Sequence, residues 1–259
     1  MFRSLGLRSE ALVMAGRSTF EDKGGFIVQR TPAEPSFWYG NQLIYRAHPR
    51  DSDAMLHAFA TAFPEAEHIV ISFDTPGEDP PEAMLGLAGM TLDHTDILAA
   101  NGGIVGPELP PGLTFRRIDS DTDWAGLVSL QCETGVEQGH DSPRHLPYLE
   151  AKFAQVRQAC EQGRAAWFGV YESDLLVADM GIFWGDGLAR FQSVETRKSH
   201  RGRGICAALL AKVSAFARAQ LPGCILVIVA ETGSPAGRIY RRAGFVLKET
   251  LVSLLKPAY

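Results

Sequence analysis

The stretch from Leu188 to Ala230 restricts the fold of this chain more than any other. Leu188–Thr196 reads as a strand after the turn signal Gly185-Asp-Gly, and from Gly204 to Gln220 the apolar residues Ile205, Ala208, Leu209, Val213, Phe216 and Ala217 recur at helical spacing. Cys224–Ala230 is then a continuous apolar run between Pro222-Gly223 and Thr232-Gly233. A run of that kind suits a strand buried on both faces, and a strand, a helix and a buried strand in succession predict a parallel pair inside a covered sheet.

The neighbouring segments extend this pattern. Leu113–Ile118 alternates like a strand, Asp119–Asp123 supplies capping residues for a helix over Trp124–Cys132, and a second helix is expected over Ser142–Glu161 with Pro143 in its first turn. Ala165–Tyr171 and Leu175–Phe183 read as strands, broken at Glu172-Ser-Asp and at Gly185-Asp-Gly. A short helix over Pro235–Arg242 stops at Gly244, and Phe245–Leu255 closes the series as a strand. Upstream, the Gly- and Pro-rich Asn101–Gly112 predicts a linker. The expected domains are thus 1–105, a linker at 106–112, and 113–259.

With 46% hydrophobic and 21% charged residues, the 259-residue chain falls among globular proteins. A net charge of −5 speaks against a nucleic-acid partner, so any anion site must be built locally. Cys132, Cys160, Cys206 and Cys224 form no CxxC pair and no zinc spacing, which predicts reduced thiols, no metal and a cytoplasmic location. Met1–Ala15 does not read as a secretory leader, and no run has the length of a membrane span, so no membrane partner is expected.

Arg197-Lys-Ser-His-Arg-Gly-Arg-Gly204 lies between a strand and an amphipathic helix. The unpaired N–H groups of a first helical turn, with glycines that admit close approach, can hold a phosphate group there. The same residues would also serve as a solvated basic loop before an ordinary helix. Neither GxxxxGK[ST] nor GxGxxG is present.

Further on, the chain reads Arg238-Ile-Tyr-Arg-Arg-Ala-Gly-Phe245. The combination of Arg201-x-x-Gly204-x-Cys206 with Tyr240-x-x-x-Gly244-Phe245 resembles the GCN5-related N-acetyltransferase (GNAT) superfamily. The first half resembles that family's pyrophosphate loop, the second its later helix with a tyrosine before Gly-Phe. The resemblance covers Leu113 to Lys256. It implies the GNAT fold, an α/β architecture with a central mixed, mostly antiparallel sheet flanked by helices. Cys206 stands where the family has glycine or alanine, and Gly233 or Ser234 where relatives often place an asparagine on the cofactor.

The same resemblance implies direct transfer of an acetyl group from acetyl-CoA, used as co-substrate, to a primary amine in a ternary complex. Arg201, Gly202, Arg203, Gly204, Ile205, Cys206 and Ala207 would form the pyrophosphate cradle. Val194, Glu195 and Thr196 would run along the pantetheine arm, and Ser234 would lie beside the cofactor. Tyr240 would be the acid for the departing thiolate. Glu195 would be the base, unless it merely pairs with Arg197 or Lys198; Glu133 and His140 are weaker options, and His140 and His145 would shape the acceptor pocket. Cys132 and Cys206 carry no arrangement that makes a nucleophile. A non-catalytic acyl-CoA sensor is the alternative, and either a monomer or a homodimer is compatible with the sequence.

Adding 155 to numbers in the first half gives an ungapped second match. Ala88-Gly89-Met90 falls on Ala243-Gly244-Phe245, Leu92 on Leu247, Thr95 on Thr250, and Arg46 on Arg201. A strand over Trp38–Tyr45, a helix over Ala54–Phe63 and a strand over His68–Phe73 would repeat the later pattern. Pro49, Asp51 and Leu85 stand where Gly204, Cys206 and Tyr240 would be, so residues 1–105 read as a partial, degenerate copy. The architecture expected is thus a tandem of a partial and a complete copy. This reading requires Gln42 on a strand and Thr61 on the helix that follows it.

Overall fold

A computed structural model describes residues 2–257 apart from 82, 83, 85, 86, 88 and 141. In chain order its first elements are α1 (Leu5–Val13), β1 (Thr19–Asp22), β2 (Phe26–Arg30), β3 (Gln42–Tyr45), α2 (Ser52–Ala62), β4 (His68–Phe73) and β5 (Thr91–Ala100). They are followed by β6 (Leu113–Arg117), α3 (Asp121–Glu137), α4 (His145–Glu161), β7 (Ala165–Glu172), β8 (Leu175–Gly185) and β9 (Leu188–Thr196). The last are α5 (Ile205–Gln220), β10 (Ile225–Glu231), α6 (Pro235–Ala243) and β11 (Val246–Pro257).

These elements form two compact units, each discontinuous in sequence. The first comprises Met1–Ile97, Val229–Ser234 and Leu247–Tyr259; the second comprises Leu98–Ile228 and Pro235–Val246. Most of the last strand groups with the first unit, and residues 98–112 group with the second. A strand sits where its ladder partners are, whatever its neighbours in sequence.

In the first unit β1, β2 and β3 are antiparallel neighbours, β3 runs parallel to β4, and β4 pairs antiparallel with β11. Phe59 and Met55 on the inner face of α2 bury against Leu43, Ile71, Phe73 and Leu254. Asp51 caps α2, its carboxylate accepting the Ala54 amide at 2.9 Å. Gln42 opens β3 and Thr61 lies in α2, the strand-then-helix succession the repeat requires. The strand expected over Trp38–Tyr45 is shorter, because Trp38–Gly40 is a 3-10 turn. Asn41 pins that turn, donating to the Glu34 and Phe37 carbonyls at 2.9 Å each.

In the second unit the sheet order is β10-β9-β8-β7-β6. The β10–β9 pair is parallel, as expected, and the others are antiparallel. Trp167 of β7 meets Phe153 of α4, ring centroids 5.5 Å apart, while the next residue, Phe168, meets Phe216 of α5 at 4.9 Å. Successive strand residues point to opposite faces, so α4 covers one face of this sheet and α5 the other. The α3 helix begins on a capping box, with Ser120 and Asp123 bonding each other's backbone amides. The second helix starts at His145 rather than Ser142, with Arg144 as an N-cap that makes no side-chain bond.

Residues 101–112 are no free linker. Within the second unit the Val105 amide donates to the Ala243 carbonyl at 3.2 Å, and Arg218 donates to the Gly102 carbonyl at 2.7 Å. At Gly106 the segment approaches the first turn of α5 so closely that a β-carbon would lie 2.2 Å from the Ala207 carbonyl oxygen.

Candidate active site

The site begins where two strands part. β9 and β10 pair only at Leu188–Ile225, Ala189–Leu226 and Arg190–Val227. Beyond Arg190, β9 continues to Thr196 with no β10 partner among the described residues, so Val194, Glu195 and Thr196 lie outside that ladder. Opposite β8 the same stretch carries a bulge. Asp179 faces Glu195 and Gly181 faces Gln192, so Met180 alone spans Ser193 and Val194. Ser193 takes the left-handed conformation at φ 46°. Its hydroxyl accepts Lys152 Nζ at 3.0 Å, and its carbonyl accepts Gln131 Nε2 at 3.5 Å.

At the end of β9 the chain turns through Lys198–His200 into α5. Gly204 is the N-cap at φ 78° and contributes no side chain to the helix end, so the amides of Ile205, Cys206 and Ala207 have no intrahelical acceptor. Space around Gly202 is open, with nothing within 4 Å of where a β-carbon would be. Uncapped first-turn amides at the positive end of a helix dipole are the chemistry that attracts an anion. The loop's side chains are turned elsewhere. Arg201 donates to the Thr196 carbonyl at 2.8 Å and pairs with Glu137 at 2.7 Å, while Arg197 pairs with Glu133. Two of the loop's four Lys and Arg side chains, Arg197 and Arg201, are thus committed to the last turns of α3.

Glu195 does not pair with Arg197 or Lys198. It accepts Gln138 Nε2 at 3.3 Å, and burial raises its pKa above the usual carboxylate value, against the lowering effects of Gln138, Arg201, Thr134 and Lys152. Tyr240 of α6 is buried, and burial, followed by the electrostatic influence of Cys206 and Glu195, pushes its phenol upward. Tyr240 therefore keeps its proton across the physiological range. Burial also pushes the Cys206 thiol up to about 12, so it stays a thiol and lacks nucleophilic character. Ser234 lies in the turn after β10, its amide bonded to the Glu231 carbonyl at 3.1 Å, and is grouped with the first unit.

Around Glu195, α3 and α4 bring further residues together. His145 packs on Gly135, where a β-carbon would lie 2.3 Å from its Nε2, and its ring stacks on His140 at 5.5 Å. Burial lowers the His145 pKa, which keeps the ring neutral. Glu133, tied to Arg197, is engaged in bracing the loop. A groove of about 390 Å³ on the outer side of α3, lined by Val128, Cys132, Val136 and Leu146, includes neither Glu195 nor Tyr240. One residue of this region was missed from sequence. Asp179 on β8 is fully buried, and burial pushes its carboxyl up to about 8 against the bonds donated by Trp167 and Gln131. The signal was present: an acidic residue inside the apolar run Leu175–Phe183.

The first unit contrasts at the equivalent place. Its β3 and β4 pair from Leu43–Ile71 to Tyr45–Phe73, the end of β3, and the Asp74 amide extends the ladder by donating to the Tyr45 carbonyl at 2.8 Å. The Asp51 carboxylate already caps the start of α2. Leu85 lies outside the described residues.

Residues 163–247 match the family model of the acetyltransferase (GNAT) domain. The match is thus to a GNAT domain over residues 163–247, and the mixed α/β architecture is the GNAT fold. A GCN5-related N-acetyltransferase from Kribbella flavida is similar over 97% of this chain and 94% of its own, at 18% identity and a TM-score of 0.66. A functionally unknown conserved protein from Staphylococcus epidermidis is similar over 92% of this chain and 93% of its own, at 14% identity and a TM-score of 0.69. The likeness extends to a tandem GNAT protein from the clavulanic acid biosynthesis pathway, covering 96% of this chain and 88% of that one, at 14% identity and a TM-score of 0.60. A search of curated proteins finds no match. Among the described residues no helix is long and apolar enough to cross a membrane, and no group of three or more His, Cys, Asp or Glu side chains is placed to hold a metal.

Proposed function

We propose that the chain is an acetyl-CoA-dependent N-acetyltransferase that passes the acetyl group directly to a primary amine in a ternary complex. The observation that carries this reading is the parting of β9 from β10 immediately before a helix whose N-terminal amides have no side-chain cap. The diphosphate of acetyl-CoA would bind the amides of Gly202, Gly204, Ile205, Cys206 and Ala207, with the Arg201 and Arg203 side chains framing the loop. The pantetheine arm would pair with the backbone of Val194, Glu195 and Thr196. An N–H of this strand would polarise the thioester carbonyl.

Glu195, made more basic by burial, takes a proton from the acceptor ammonium. Glu195 passes that proton to solvent; the free amine attacks the carbonyl carbon, the new C–N bond forms as the C–S bond breaks, and the nitrogen sheds its remaining extra proton to solvent to leave the neutral amide. Tyr240 gives its proton to the departing thiolate and recovers one from solvent. The neutral His145 and its neighbour His140 shape the acceptor side. The first unit, with its closed β3–β4 ladder, is a non-catalytic partial copy.

A screen of CoA release over a panel of amines tests the reading, with Gly204→Pro as the blank. One class of amine is expected to release CoA with the native chain and none with the variant. Tyr240→Phe should slow turnover by about 100-fold, the scale of a lost general acid, with acetyl-CoA affinity nearly intact. A folded protein that gives no calorimetric signal with acetyl-CoA overturns the assignment.

A further inference from the structure

The acyl-transfer site contains a second carboxyl group that the chemistry above leaves unused. Asp179 on β8 lies directly across the ladder from Glu195 on β9. Directly opposed residues of an antiparallel pair share a face, with β-carbons about 5 Å apart. Asp179 has no exposed surface. Its Oδ1 accepts Trp167 Nε1 at 2.9 Å, and Gln131 Nε2 lies 3.0 Å from both of its oxygens. The same Gln131 amide reaches the Ser193 carbonyl at 3.5 Å, so one side chain joins Asp179 to the bulge that sets the course of β9.

We propose that Asp179 is a positioning residue of the transferase site, a buried carboxylic acid whose proton confines the site's single negative charge to Glu195 and whose bonds hold the bulge at Ser193. The inference rests on the proposed transferase reading and adds a residue to it. Two carboxyl groups this close in a desolvated place favour carrying one charge between them. The member facing the open end of β9 is Glu195; the sealed member keeps the proton.

The charged and titratable groups around the pair come from every element packed on it. Asp179 meets Lys152 of α4, Tyr171 of β7 and Glu195. Glu195 meets Arg201 of the loop, Lys152, Cys206 of α5 and Tyr240 of α6. Lys152 is the one cation common to both carboxyls, and its ammonium is already bonded to the Ser193 hydroxyl at 3.0 Å. One charge balances that arrangement better than two. If Asp179 ionises, a second negative charge appears on the strand next to the thioester carbonyl and opposes the developing oxyanion.

Carbon-13 spectra of the side-chain carboxyls, recorded on the ligand-free protein across a pH titration, test this directly. One aspartate is expected to titrate near the value burial imposes, about 8, and to vanish in Asp179→Asn. In Glu195→Gln its midpoint should fall by about one unit, since a neighbouring charge is gone. An Asp179 carboxyl ionised already at about pH 6, or a midpoint unmoved in Glu195→Gln, overturns the proposal. With an amine identified, kcat/KM of the native enzyme should decline as Asp179 ionises, and Asp179→Asn should abolish that decline. Asp179→Ala should lose at least about tenfold at neutral pH, most of it regained in Asp179→Asn. An unchanged alkaline limb in Asp179→Asn counts against the proposal as firmly as the spectra would. Failure to find any amine would strike the transferase reading alone, because the carboxyl titration needs no turnover.

Discussion

Asp179, the carboxyl proposed above to position the transferase site, also bears on stability. Asp179 has its pKa raised in the folded protein to about 8 from the ordinary 3.8, chiefly by burial. Between those values the native state holds a proton that the unfolded chain has released, so stability falls as pH rises. It is fully present below about pH 4 and levels off above the native value, with a slope of at most about 1.4 kcal/mol per pH unit from this residue. Chemical denaturation at a series of pH values should show that decline in the native protein and a flatter profile in Asp179→Asn. Equal slopes in the two proteins would mean that the native carboxyl is ionised throughout.

Among the elements, α5 is where packing and the proposed ligand site meet. Its first turn carries the uncapped amides, and Gly106 and Pro107 lie against it in the second unit. A β-carbon at Gly106 would meet the Ala207 carbonyl oxygen at 2.2 Å and the Ala211 methyl at 3.0 Å. Both belong to a helix that cannot yield locally. Gly106→Ala should therefore cost about 1–3 kcal/mol, as other overpacked contacts do, and weaken acetyl-CoA binding by displacing the amide cradle. Gly102→Ala, at a position with nothing within 4 Å, is the control and should be near neutral by thermal melting and calorimetry. Much of this architecture was legible in the sequence. β7, β8 and β9 announce themselves as apolar-rich strands between strong turn signals, and Gly204 and Tyr240 by a motif in register with that pattern. Other elements were not legible. β1 reads Thr-Phe-Glu-Asp and is exposed along its length, so it has no apolar face to betray it. The first half of β5 is polar, and only Ile97–Ala100 looks like a strand. The packing of residues 101–112 on α5 depends on a glycine's missing side chain, which composition reports as flexibility. Asp179 escaped because its partners, Trp167 and Gln131, come from other elements, and only the fold brings them together.

For the whole molecule, the discontinuity of the units matters most. The first unit closes only with the end of the chain: Ser253, Leu254, Leu255 and Lys256 pair with Ser72, Ile71, Val70 and Ile69 of β4. Leu254 is part of the core beneath α2, and the Ser253 hydroxyl lies 2.8 Å from that of Ser72. Glu249 holds the start of α1, accepting the Gly6 amide at 2.9 Å and the Ser4 hydroxyl. A fragment ending at residue 105 lacks all of these. It would expose one edge of β4, a strand whose residues are all buried in the intact chain, and such an edge invites aggregation. Residues 1–105 expressed alone should thus show no cooperative melting transition, and neither should the first unit of a chain truncated after Val246. Adding a peptide of residues 246–257 to the fragment should restore part of the dispersion of its amide spectrum, because the missing strand can be supplied from outside. A fragment of residues 1–105 that melts cooperatively without the peptide would show that β11 is an addition to a self-sufficient copy rather than the strand that completes it.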